Sequence, residues 1–408
     1  MISASEAETL ILSLVHSLQT TEEVTLDNAS GRILARSVSS TLDFPYWDNS
    51  AMDGYAVRYK DLQKCDRENP KTLRIVEEIP AGIQPQKNIV QGEAARIFTG
   101  AVMPQGADTV VMQENTRRKG DRVVILQAPR DREFVRRKGA FYQSGNPLLG
   151  AGIAIGAPEI AVLATAQCTR FTVYQQPRVA IFSTGNELVS PGNSLKPGQI
   201  VDSNQYALRA FVADLGGIPL PLGIVRDRPE DLERTIENAI ARADIVLSTG
   251  GVSVGEYDYI EEILAKLGGN IHIRSVAVKP GKPLTVATFE RGDRTCLYFG
   301  IPGNPVSALV SCWRFVQPAL KKLSGLSGDW QPQFVTARSR HDLKANGKRE
   351  TYLWGRWEIV SGGYEFSLAG GDRSSGNLIN LAQTNGLAVV PVGETAIAAG
   401  EKVNVMLV

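Results

Sequence analysis

Apolar residues change their spacing several times along the chain, and each change predicts a different kind of structure. In MISASEAETLILSLVHSL, Leu10, Leu14 and Leu18 recur every fourth residue behind Ser3 and Glu6, the pattern of an amphipathic helix opened by a capping box. From about residue 73 to 127 the pattern turns to short β-branched runs broken by Gly, Pro and polar turns, as in TLRIVEEIPAGIQP, EAARIFTG, ADTVVMQEN and DRVVILQ, which predicts a small β-rich domain. An alanine-rich segment near residues 157 to 167 then gives way to strands alternating with helical patterns. The strand RVAIFSTG leads to a helix beginning near Asp202, Ser203 and Asn204, with Leu208, Phe211, Val212 and Leu215 inward and Gly216–Gly217 as its stop. IPLPLGIV, a helix with Leu232, Ile236 and Ile240 on one face, DIVLSTGG and YIEEILAKLGG repeat the alternation, so a parallel sheet covered by helices is expected. RSVAVKPGKPLTVATF and TCLYFGIPGNPVSALV extend it into a long helix reaching about Leu323, which Pro318 is expected to kink. From residue 330 the spacing returns to strands, with a Gly362–Gly363 hairpin among them, and predicts a C-terminal β domain.

A chain of 408 residues exceeds what one core holds, since single cores stop growing at about 250–300 residues. Lys and Arg number 44 against 43 Asp and Glu, leaving a formal charge of +1 and no global field for a polyanion, so a nucleic-acid partner is not expected and any anion site must be local. The N-terminus lacks the basic n-region of a signal peptide, and no apolar run approaches the roughly 18 residues that span a bilayer. A cytoplasmic protein with no membrane partner is expected. Cys65, Cys168, Cys296 and Cys312 share no CxxC spacing, and His16, His272 and His341 are scattered, so neither a zinc site nor a disulfide framework is indicated.

Ligands of open α/β sheets bind at the carboxyl ends of strands, where four loops carry the relevant residue types. They are STGNEL with Ser183, Gly185 and Glu187; STGGVSVGEYD with Ser248, Gly250, Gly251, Ser253, Gly255 and Asp258; KPGKP with Lys279 and Lys282; and GIPGNPVS with Pro302, Gly303, Asn304 and Pro305. Glycines let a backbone approach closely, and N–H groups at the following helix starts suit phosphate, so the four together describe an anion pocket; any one alone is equally a plain strand-to-helix turn. Lys279 and Lys282 would hold phosphate oxygens as point charges, or form a solvated pair. Glu187, Asp227 and Asp258 follow strands and suit Mg²⁺ beside phosphate, or simple helix capping. Asp48, Asn49, Ser50 and Asp53 in DNSAMDGYAV, and Thr99 before Gly100, are polar turn residues that would serve as a second wall or as turns.

In these motifs, DNSAMDGYAV, FTGAVMPQGADTVVMQE, STGNEL, STGGVSVGEYD, KPGKP and GIPGNPVS, met in that order, the chain resembles the molybdopterin molybdotransferases, the MoeA and gephyrin E-domain family. The resemblance runs from about residue 5 to the C-terminus. It implies a discontinuous linker domain (1–42 and 142–175), a β-rich domain (43–141), an α/β molybdopterin-binding domain like that of the MoaB/MogA adenylyltransferases (176–326) and a C-terminal β-barrel-like domain (327–408). It further implies a homodimer whose site joins the α/β domain of one subunit to the β-rich domain of the other. The implied reaction takes adenylylated molybdopterin and molybdate, uses Mg²⁺, and releases AMP and molybdenum cofactor, with a molybdopterin adenylyltransferase upstream. Carried over by motif, Asp53 and Thr99 come from the β-rich domain, Glu187, Asp227, Asp258, Lys279, Lys282, Pro302 and Pro305 from the α/β domain, and Ser375 from the C-terminal domain. Molybdate, a dianion, needs N–H and cationic donors, for which Arg136, Arg137 and Lys279 are candidates. The chain departs from the family at Ala140 and Phe141, where carboxylates are usual, and at Ser275, where Lys is usual and Arg274 lies adjacent. An adenylyltransferase or a non-catalytic scaffold is the alternative reading.

Overall fold

Ser3 caps the first helix, α1 (Ala4–Leu14): its hydroxyl accepts from the Glu6 N–H at 3.2 Å while the Glu6 carboxylate accepts from the Ser3 N–H at 2.8 Å. The buried stripe is Ala4, Ala7 and Ile11, with Leu12 beside it. Leu10 and Leu14 only flank that stripe, and Leu18 lies beyond the helix end. Small residues at the contact let α1 lie close on the core below it.

The structure is a computed structural model that describes residues 1–251, 259–292, 294–371 and 374–408. The chain folds into two compact units, Met1–Arg36, Ala151–Ala157 and Arg170–Val408 forming one, Ser37–Gly150 and Pro158–Thr169 the other.

The first unit is built on a mixed six-stranded sheet. Its elements in chain order are β1 (Arg178–Thr184), α2 (Asn204–Asp214), β2 (Ile218–Val225), α3 (Pro229–Arg242), β3 (Ile245–Thr249), α4 (Tyr259–Lys266), β4 (Asn270–Ser275), the short β5 (Val278–Lys279), β6 (Pro283–Arg291), β7 (Arg294–Ile301), α5 (Pro305–Ser311) and α6 (Gln317–Leu323). The sheet runs β2-β1-β3-β7-β6-β4. The first four strands are parallel, as the βα repeats predict, while β6 runs antiparallel to both of its neighbours, β7 and β4. Pro219 and Pro221 sit in β2, and an edge strand is where a residue without an N–H is tolerated. Along β1 alternate side chains face opposite layers: Val179 and Ile181 pack with Leu208, Phe211 and Val212 of α2, Ala180 and Phe182 with Leu232, Ile236 and Ile240 of α3. β1, β3 and β7, buried on both faces, leave their carboxyl ends open.

The long helix expected up to Leu323 is interrupted: α5 and α6 are joined by a π-helical turn, Cys312–Val316. Pro318 sits in the first turn of α6, where the missing N–H costs nothing, and the irregularity is taken up just before it.

Five strands, β8 (Phe334–Ser339), β9 (Glu350–Val360), β10 (Gly363–Leu368), β11 (Gly386–Val390) and β12 (Lys402–Leu407), close on themselves in the order β9-β10-β8-β12-β11-β9 around Phe366, Ala388 and Val405. This is the barrel-like C-terminal domain. β5 adds in parallel to the start of β9, Val278 opposite Glu350 and Lys279 opposite Thr351, so the KPGKP turn is fastened to the barrel.

The second unit carries a six-stranded sheet ordered Thr109–Met112, Gly54–Val57, Glu93–Ile97, Lys71–Ile79, Arg122–Ile125, Thr116–Lys119. Its apolar sides hold Tyr55, Leu73 and Val111 on one face and Ile79, Ile97 and Val110 on the other.

Candidate functional site

The carboxyl ends of β1, β3 and β7 meet the barrel across a cleft of about 1130 Å³. Three of the predicted loops interlock to make its floor. Gly250 has φ +84°, and a Cβ there would fall 2.3 Å from the Thr184 carbonyl oxygen, so the loops after β1 and β3 close on each other only through glycine. Gly303 approaches Gly250 in turn, and its carbonyl accepts from Asn204 Nδ2 at 2.8 Å. Gly250→Ala is therefore expected to destabilise the unit by more than about 1 kcal/mol and to open the floor, because both the left-handed backbone and the close approach are lost. A lower thermal midpoint together with weakened anion binding checks this.

A buried polar network lies beneath that floor. The Asp202 carboxylate, 3% exposed, accepts from Ser183 Oγ at 3.0 Å and from Gln205 N and Nε2 at 3.3 and 2.9 Å, and Thr249 Oγ1 donates to Ser183 Oγ at 3.0 Å. Ser183, expected to touch ligand, is instead fully buried, its hydroxyl spent on Asp202. Ser248 is likewise buried and bonds the Tyr298 hydroxyl. The two serines hold strand ends in place, while Thr184, Thr249, Gly250 and Gly251 line the cleft. Asp202 was legible only as a residue before a helix; the signal that marks it is a run of Asp, Asn and Gln where the helix enters an apolar core.

The walls are cationic. Lys279, exposed, and Lys282, half-buried, line one side, while Lys344 and Arg349, which sequence reasoning missed, line the barrel side. Arg349 Nη1 donates to the Val278 carbonyl at 3.1 Å, which seats it against the KPGKP strand. Pro302, Gly303, Asn304 and Pro305 complete the rim with Ser375, whose hydroxyl accepts from Asn304 Nδ2 at 3.2 Å and whose carbonyl accepts from Val306 N at 3.2 Å. Among the described lining residues, Glu187 and the buried Asp202 are the carboxylates, against four cations. Such a site favours an anion that brings several oxygens.

Glu187 projects back over Gly185, where an added Cβ would meet its carboxylate at 2.6 Å; Gly185 itself does not line the cleft. Asp227, at the end of β2, accepts from the Thr184 hydroxyl and from Asn186 N at 3.1 Å, which binds it to the same turn. Among the described residues no group of three or more His, Cys, Asp or Glu side chains gathers as a metal cage. Ser253, Gly255 and Asp258 lie outside the described residues.

Asp53, Thr99, Arg136 and Arg137 belong to the second unit. Thr99 donates twice to Asp53 Oδ1, from Oγ1 at 2.7 Å and from N at 2.8 Å, and these bonds, the hydroxyl's first, hold the Asp53 carboxyl below the usual carboxylate range. Arg136 pairs with Asn49 in a short antiparallel ladder, and Lys138 N donates to Asp48 Oδ1 at 2.7 Å, so the DNSAMDG and RRKG loops are one structure. Phe141 stands 74% exposed beyond them.

This set of motifs, folds and loops is matched along the whole chain. Family models described as the MoeA N-terminal region (domain I and II), a probable molybdopterin binding domain and the MoeA C-terminal region (domain IV) match residues 2–166, 180–322 and 336–408. A protein of Nostoc sp. named molybdopterin molybdenumtransferase is 58% identical over 100% of this chain and 94% of its own length. The chain belongs to the molybdopterin molybdenumtransferase family. A Haemophilus influenzae member is 32% identical over 99% of this chain and 98% of its own. Among solved structures, a molybdopterin biosynthesis MoeA protein of Pyrococcus horikoshii superposes with a TM-score of 0.86 at 28% identity, covering all of both chains. In this family frame, Lys279, Lys282 and Glu187 share one cleft, and Asp53 and Thr99 share a second locus.

Proposed function

We propose that this chain inserts molybdate into adenylylated molybdopterin and releases AMP, completing molybdenum cofactor. The observation that carries this reading is the cleft with four cations, Lys279, Lys282, Lys344 and Arg349, over a floor of glycine loops. A nucleotide-linked phosphoanhydride and an oxyanion both need converging N–H and cationic donors, and charge that develops on the parting phosphate is stabilised by groups already fixed in place. Lys279 and Lys282, on a turn fastened to β9, meet that need without reorganising. Lysine suits it as a compact point charge, and Arg349 as a planar two-pronged donor.

Glu187, on the turn after β1, and Asp227, bonded to that turn from just beyond β2, are oxygen donors of the kind Mg²⁺ accepts together with phosphate oxygens and water. When bound there, Mg²⁺ would neutralise phosphate charge. Asp53, Thr99, Arg136 and Arg137 complete the site from a second copy of the chain, a homodimer in which each cleft takes its second wall from the other subunit. The four-domain division at residues 42, 141, 175 and 326, a cytoplasmic location and an adenylyltransferase that hands over the substrate belong to the same reading. Ala140, Phe141 and Ser275 motivate one competitor, a non-catalytic paralogue.

Expression in a bacterial strain lacking its own molybdotransferase separates the two. Restored molybdoenzyme activity is expected; a soluble, dimeric, folded protein that restores none favours the scaffold. ATP-dependent AMP attachment to molybdopterin would favour the adenylyltransferase instead.

A further inference from the structure

The π-helical turn between α5 and α6 carries a cation into the core. Arg314 is 6% exposed; its Nε donates to the Tyr352 hydroxyl at 2.9 Å, and its guanidinium is paired with Glu8 of α1. Tyr352, 1% exposed, passes its own proton into a hydrogen bond to Glu350, and burial raises its hydroxyl well above the usual value, so it stays a donor. A buried guanidinium is costly unless opposite charge and an acceptor face it, and here Glu8 supplies the charge and Tyr352 the acceptor, both from segments distant in sequence.

What this network grips is the start of β9. Glu350 N donates to the Ala277 carbonyl at 2.9 Å, Val278 and Lys279 of β5 pair with Glu350 and Thr351, and Arg349 reaches the Val278 carbonyl. The cations of the two cleft walls, Lys279 and Lys282 on one side and Arg349 on the other, are thus spaced by the same few residues that Arg314 holds from behind. Extra backbone in a π turn is a recurrent way of aiming one side chain out of helical register, and Arg314 is aimed between α1 and β9.

We infer that Arg314 is a positioning residue: through Tyr352 it sets the spacing of the Lys279, Lys282 and Arg349 charges across the cleft, and Glu8 makes the N-terminal helix part of the clamp. The inference rests on the proposed reading that the cleft takes an oxyanion. Glu8 does not line the cleft, so any effect of changing it on ligand affinity must travel through the network.

The test compares wild type, Glu8→Gln, Tyr352→Phe, Arg314→Lys and, as a control for simple destabilisation, Val403→Ala in the barrel core away from the cleft. Molybdate binding by calorimetry, the KM for molybdate, kcat and the thermal midpoint are measured on the full-length protein. Glu8→Gln and Tyr352→Phe are expected to raise KM and Kd for molybdate about tenfold, the scale of one lost hydrogen bond to a charged group, with a much smaller change in kcat. Arg314→Lys, which keeps the charge facing Glu8, should lose less. Val403→Ala should lower the midpoint and leave KM unmoved. Unchanged molybdate affinity in a folded Glu8→Gln protein overturns the inference, even if Tyr352→Phe does not fold; so does an equal KM rise in Val403→Ala. A wild type that neither binds molybdate nor releases AMP overturns the functional reading first, and the inference with it.

Discussion

Lys279→Ala is expected to lower kcat/KM for AMP release by about 10²–10³-fold, the loss seen when one preorganised donor is removed from a developing charge. The side chain faces the cleft on a turn whose backbone is fixed by β5 pairing with β9, so alanine removes the charge and leaves the scaffold. Lys282→Ala should act similarly. The double variant should lose less than the product of the singles, since both ammonium groups serve one anion. Lys279→Arg should recover only part of the rate, because a planar fork does not occupy the place of a compact ammonium. Steady-state kinetics at saturating and limiting molybdate check each statement.

Asp53→Ala is expected to remove nearly all activity while leaving the fold intact, because among the described residues the Asp53 carboxylate bonds Thr99 alone. In a dimer with shared sites, mixing inactive Asp53→Ala with inactive Lys279→Ala should restore about a quarter of wild-type activity, since random exchange gives half mixed dimers and each has one of two sites whole. No recovery on mixing, with exchange demonstrated, would place Asp53 and Lys279 in the same subunit's site. The pH profile adds a sign. The folded Asp53 pKa is depressed by Thr99, so what its ionised form contributes is present above the unfolded value and is lost as pH falls through the lowered one. Thr99→Val removes the larger of the two bonds, and the acid limb attributable to Asp53 should move to higher pH.

The sheet domain was legible because a parallel strand buried on both faces must be nearly all apolar, and RVAIFSTG and DIVLSTGG are such strands, each ending where glycine begins. The glycine loops announced a cleft for the same reason that Gly250 cannot carry a Cβ. The facing of Ser183 and Ser248 was not legible. A strand end looks alike from either side in sequence, and the Asp202 carboxylate that turns Ser183 inward lies 19 residues later in the chain. Lys344 and Arg349 were missed because nothing local marks them; they reach the cleft only because β5 adds to the barrel at β9. Glu8 and Arg314 are separated by about three quarters of the chain, and the π turn that aims Arg314 has no pattern of apolar spacing to betray it. Local chemistry was readable from short motifs, and the residues that depend on long-range pairing were not.

The central claim is most directly tested by incubating the purified protein with adenylylated molybdopterin, Mg²⁺ and molybdate and measuring free AMP. AMP release that requires molybdate, that Lys279→Ala lowers by about 10²–10³-fold and that Asp53→Ala removes, is the predicted result. Release that proceeds equally without molybdate, or none from a folded dimer, would contradict the account.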